Sequence, residues 1–128
     1  MNRGLLLDLV RLLSDERSIS EETHVFCASE LLLMGVQYLK EQDNIRSLDS
    51  DLLKAIIELS MRNFSNEAFG AVVEASFEIF NSAELYDELA RPQTMLLILS
   101  WVEHAGNMAA ESHAGDYSLY LRALPRLS

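Results

Sequence analysis

At 128 residues, 49% of them hydrophobic and with a mean hydropathy of +0.07, the chain has the size and apolar content of one globular domain spanning residues 1–128. Intrinsic disorder is excluded, because disordered chains are poor in Leu, Ile, Val and Phe. Twenty Asp and Glu against ten Lys and Arg leave a formal charge of -10, a field that repels a phosphate backbone and argues against nucleic-acid binding.

Apolar residues recur at three- and four-residue spacing, and sustained period-two alternation flanked by turn signals is absent. The expected class is therefore all-α. Leu5, Leu6, Leu9, Val10, Leu12 and Leu13 mark a first helix that stops near Ser14 and Asp15. Ser18 and Glu21 form a capping box for a long second helix reaching about Glu41, and Asp43 and Asn44 break the chain. Ser47 to Asp51 supplies caps and first-turn acids for a third helix ending near Phe64. A fourth starts at Ser65 and Asn66 and ends around Asn81.

A short fifth helix, Ala83 to Ala90, is stopped at Arg91 and Pro92, since a proline disfavours helical geometry in the residue before it. Pro92 then suits the first turn of a sixth helix running to about Ser112. The sixth is apolar almost all round from Met95 to Val102, the pattern of a helix central to its bundle. Gly115 closes it, and Asp116 caps a final short helix that ends before Pro125. Short connections make successive helices antiparallel neighbours, so the expected architecture is a compact antiparallel bundle of six to seven helices.

The single cysteine, Cys27, cannot close an intramolecular disulfide, which points to a reducing cytoplasm. Leu5 to Leu13 is interrupted by Asp8 and Arg11, unlike the core of a signal peptide. The longest apolar run, Met95 to Leu99, is far short of the roughly 18 residues that span a bilayer, so no membrane association is expected.

The third and fourth helices match without a gap at an offset of sixteen residues, Asp51–Phe64 on Glu67–Phe80. Ala55 and Ala71, Glu58 and Glu74, Ser60 and Ser76, and Phe64 and Phe80 coincide, while Ile56 and Ile57 become Val72 and Val73. The offset is too short for the helix-pair units of solenoids, which run to about 34 residues or more. Two amphipathic helices converging on one pattern would produce the same match.

Residues 101–115 gather Glu103, His104, Glu111 and His113, the densest collection of chemically useful side chains. No two of them lie three or four residues apart, the spacing at which helical side chains share an ion. His104 and Glu111 share a face but are separated by roughly 10 Å along the axis. His24 and Cys27 are better spaced for zinc, yet two further ligands are wanting, and Cys27 is more simply a core residue. Nucleophilic triads, phosphate-binding glycine loops and Cys-x-x-Cys pairs are absent. The sequence thus argues against an enzyme and offers no metal or cofactor site.

Charge patterning is more informative. Glu58 has Lys54 four residues before it and Arg62 four residues after it, whereas Glu74 has Gly70 and Glu78 at those positions. Glu67, Glu74 and Glu78 fall near one line of an ideal helix, and residues 63–90 contain no lysine or arginine. Glu84, Asp87 and Glu88 extend the run. Like charges at four-residue spacing cost a helix a few tenths of a kcal/mol, so stability alone does not select such a stripe. These six acids form a candidate docking face for a basic protein partner, with complementary charge speeding encounter; the alternative is a solvated face whose bases lie on neighbouring helices. Gly70 beside them leaves room for close backbone approach.

The reading that follows is a small acidic binding protein that docks on a basic protein and inhibits or holds it, by analogy with immunity proteins and antitoxins. An export chaperone of the type III or flagellar kind, holding an amphipathic client segment in an apolar groove, is the second reading. A non-catalytic oligomeric subunit is the third, and the apolar content also permits a homodimer.

Overall fold

A computed structural model describes residues 3–15 and 22–111. Their six α-helices are α1 (Arg3–Ser14), α2 (Glu22–Glu41), α3 (Ser50–Arg62), α4 (Gly70–Phe80), α5 (Tyr86–Leu89) and α6 (Pro92–Glu111). Three 3₁₀ turns, Ile45–Ser47, Glu67–Phe69 and Ala83–Leu85, sit in the connections, and no strand occurs among the described residues. The fold is an all-α bundle. Ser18, Glu21, Ser112, His113 and the expected last helix from Asp116 to Pro125 lie outside the described residues.

The helix ends follow from local chemistry. α2 stops at Asp43, which takes a left-handed conformation (φ 53°). Its amide donates to the Lys40 carbonyl at 3.2 Å, and the next amide, of Asn44, donates to the Leu39 carbonyl at 2.8 Å. That paired closure normally recruits glycine, and aspartate tolerates it better than most side chains do. Asp49 opens α3 by accepting a hydrogen bond from the Leu52 amide at 2.9 Å.

The fourth and fifth helices begin later than their sequence patterns suggest. Asn66 accepts from the Ala68 amide at 3.0 Å, but the turn it caps is the 3₁₀ turn Glu67–Phe69, and α4 proper starts at Gly70. Likewise Ala83–Leu85 is a 3₁₀ turn leading into the four-residue α5. In both places a tight turn swings a buried residue, Phe69 or Leu85, into the core before the α-helix begins.

The central helix is α4 rather than α6. Eight of its residues are buried, from Ala71 through Phe80, and only Gly70, Glu74, Glu78 reach the surface. It packs against both α2 and α3. On α6 the core is met by Ile98, Trp101, Val102 and Ala105, a single stripe at helical spacing, while Leu96 and Leu99 are exposed. A continuous apolar run does not itself decide which helix is surrounded, because burial needs neighbours on every side.

Ser60 of α3, Ser76 of α4 and Trp101 of α6 tie these helices together. The Ser60 hydroxyl donates to the Ile57 carbonyl at 2.8 Å and accepts from Ser76 Oγ at 2.8 Å and from Trp101 Nε1 at 2.9 Å. One donor and two lone pairs are thereby all used. Phe64, Phe77 and Phe80 stand edge-on to the Trp101 ring at 5.6, 5.3 and 5.2 Å between centroids. The two serines and the two terminal phenylalanines matched in the sixteen-residue offset thus converge on one tryptophan.

Candidate functional site

α2 and α4 run side by side in the same direction. Phe26 near the start of α2 adjoins Ala68 just ahead of α4, and Lys40 near the end of α2 reaches Glu78 near the end of α4. This is the arrangement expected when α3, which lies between them in the chain, reverses its direction. Toward their N-terminal ends lie two adjoining surface hollows of about 420 and 530 Å³, which share Phe26 and Glu67.

The floor of this groove is apolar: Phe26, which is 53% exposed, with Leu33, Phe64 and Val73. Its rim is acidic, with Glu22 and Glu30 from α2 facing Glu67 and Glu74. Among the described residues, no lysine, arginine or histidine lines either hollow. Gly70 lies between these rims, and a Cβ built on it would meet nothing within 4 Å. Among the described residues, no neighbouring helix therefore uses the room that Gly70 leaves.

The six candidate docking acids do not form one face. Glu67 belongs to the 3₁₀ turn, whose tighter winding takes it off the α-helical line through Glu74 and Glu78. It still joins Glu74 at the same hollow. Glu78 instead forms an ion pair with Lys40 at 3.0 Å, both side chains about one-third exposed. Glu84, Asp87 and Glu88 line a separate hollow of about 300 Å³ that also contains Arg46, and Glu88 pairs with Arg91 at 3.1 Å. Lys40 on α2, and Arg91 just past the acidic run, thus answer part of its charge.

Of the residues gathered near 101–115, Glu103 is exposed and His104 is half-buried edge-on to Phe64, 6.3 Å between ring centroids. The side chain of Glu111 and the whole of His113 are outside the described residues. No group of three or more His, Cys, Asp or Glu within reach of one ion occurs among the described residues. Among them, too, no helix is long and apolar enough to cross a membrane. Cys27, expected in the core, is exposed, because α2 turns its Val25, Ala28 and Leu32 inward and Cys27 falls on the opposite face.

Sequence reasoning singled out Glu67, Glu74 and Gly70 at the groove but passed over Phe26, Glu30 and Leu33. Their three- and four-residue spacing on α2 was a legible signal of a shared face. That this face opposes Glu67 and Glu74 depends on the packing of α2 against α4. No family model, curated protein or solved structure matches the chain.

Proposed function

We propose that this chain is a non-catalytic binding protein that takes a basic, amphipathic segment of a protein partner into the groove between α2 and α4. The observation that carries this reading is the lining itself, an apolar floor around a half-exposed phenylalanine with carboxylates on both rims and no base among the described lining residues. An amphipathic helix sets its apolar face into such a groove. Lysines or arginines flanking that face then meet Glu30 or Glu67 at the rim, where charge acts mainly on encounter rate and orientation.

The acidic docking face inferred from sequence thereby becomes the rim of a groove, narrowed to Glu22, Glu30, Glu67 and Glu74. Glu78 and Glu88, paired with Lys40 and Arg91, do not line the groove. A groove of this kind serves to hold a partner's segment, which favours the client-holding reading over inhibition by a flat acidic face.

The test compares three baits in affinity capture from the native cell: the wild type, a groove-filling Gly70→Leu, and a rim-reversed Glu67→Lys/Glu74→Lys. A partner captured by the wild type, lost by both variants and released by salt supports the proposal. A partner retained by both variants refutes it. Gly70→Leu is compatible with folding, because Gly70 has an ordinary helical φ of -53° and empty space at its Cβ.

A further inference from the structure

α2 carries a second surface, about a quarter turn from the groove. His24, Cys27, Leu31, Met34, Tyr38 and Glu41 follow one another at intervals of three, four, three, four and three residues, the spacing of a coiled-coil seam. All six are exposed. Leu31 is 45%, Met34 58% and Tyr38 48% accessible, and at 100° per residue the four central positions fall within about 60° of arc. The bundle buries the opposite side of α2, through Val25, Leu32, Val36 and Leu39. The apolar stretch Cys27, Leu31, Met34 and Tyr38, on a helix whose other side already makes the core, is exposed.

The geometry points to a second copy of this chain as the occupant, with the two α2 helices packed antiparallel across a two-fold axis between Leu31 and Met34. The seam is symmetric about that point. Leu31 meets Met34 of the other copy, Cys27 meets Tyr38, and His24 meets Glu41, each pair of residue numbers summing to 65. A two-fold interface requires this self-complementarity, since every contact then occurs twice.

Charge decides the direction. Each chain carries a formal charge of -10, so two copies associate only where carboxylates do not face one another. A parallel, in-register pairing would set Glu41 against Glu41 in the seam itself. The antiparallel register instead places Glu41 beside His24 of the other copy, brings Glu30 near Gln37 and keeps carboxylates out of the seam's centre, which is Leu31 and Met34. Phe26 and Leu33, on the groove side of α2, remain free to serve the groove.

Cys27 reports on the arrangement. In the antiparallel dimer the two Cys27 residues lie eleven residues apart along the helix pair, about 16 Å, well beyond the roughly 4–7 Å between Cα atoms that a disulfide spans. Replacing Tyr38 with Cys sets a thiol opposite Cys27 of the other copy. Within one chain the same two positions are also about 16 Å apart on a helix and cannot bridge. Under mild oxidation, Tyr38→Cys should form a covalent dimer while the wild type stays uncrosslinked.

Sedimentation equilibrium up to about 200 µM should show the wild type as a dimer in exchange with monomer, because one helix per subunit is a small interface. Added salt should tighten it by screening the net repulsion, opposite to the effect on a basic partner in the groove. Leu31→Glu/Met34→Glu should weaken dimerisation at least about a hundredfold by setting carboxylates against an apolar seam on both copies. Circular dichroism should be unchanged, as both positions are exposed. A wild type that stays monomeric throughout overturns the inference, as does a wild type that crosslinks readily through Cys27 while Tyr38→Cys does not. Should the Glu pair prevent folding, the disulfide result decides alone.

Discussion

Removing the Ser60 hydroxyl should cost several times more than removing that of Ser76, although both serines are buried and hydrogen-bonded to each other. Ser60 accepts from Trp101 Nε1 at 2.9 Å and from Ser76 at 2.8 Å. In Ser60→Ala the indole N–H loses its acceptor inside a ring of Phe64, Phe77 and Phe80, at a side chain with no solvent exposure. An orphaned buried donor costs about 1–3 kcal/mol. Ser76 has a fallback, since the Val72 carbonyl lies 3.3 Å from its Oγ, so the indole alone bears the loss. In Ser76→Ala nothing is orphaned except one lone pair of Ser60, which still donates to Ile57 and accepts from Trp101. That change should cost at most about 1 kcal/mol.

For a domain of this length 1 kcal/mol corresponds to roughly 4 °C in melting temperature. Ser60→Ala should therefore melt about 4–12 °C lower and Ser76→Ala no more than about 4 °C lower. The fluorescence of Trp101, the chain's single tryptophan, reports the transition at the site itself. Adding Trp101→Phe to Ser60→Ala removes the orphaned N–H, so the two changes should be less than additive. Equal losses for the two serines, or full additivity with Trp101→Phe, would refute the account of this network.

Asp43→Gly should raise stability by about 1 kcal/mol in denaturant unfolding, because glycine takes the left-handed closing position of α2 without strain; a neutral or destabilised variant would mean the Asp43 side chain compensates. Lys40 and Glu78 should show a coupling of about 0.5 kcal/mol in a double-mutant cycle of Lys40→Met and Glu78→Gln. That coupling should fade in about 1 M salt, and persistence at full strength would contradict its being a screened, one-third-exposed pair. Gly70→Ala should leave the melting temperature unchanged or slightly higher, given open space at the added methyl and an α-helical backbone; a loss of more than about 1 kcal/mol would show that the site is tighter than its geometry indicates.

What the sequence determined by itself was the local structure: helices where apolar residues recur at three and four, a break at Asp43, a stop before Pro92. These depend on interactions within about one helical turn, and such spacings are written directly into the chain. The serine and phenylalanine matches between the third and fourth helices were equally visible, though not that they meet at Trp101. Only the tertiary structure decided that α4 is enclosed while α6 exposes Leu96 and Leu99. It also decided that Cys27 faces outward, that Lys40 answers Glu78, and that Phe26 and Glu30 stand across from Glu67 and Glu74. Each of these depends on which face of one helix meets which face of another. Hydrophobic periodicity says that a helix has an apolar side; when that side is wider than one neighbour can cover, as on α2 and α6, only packing selects the part that becomes core and the part left exposed.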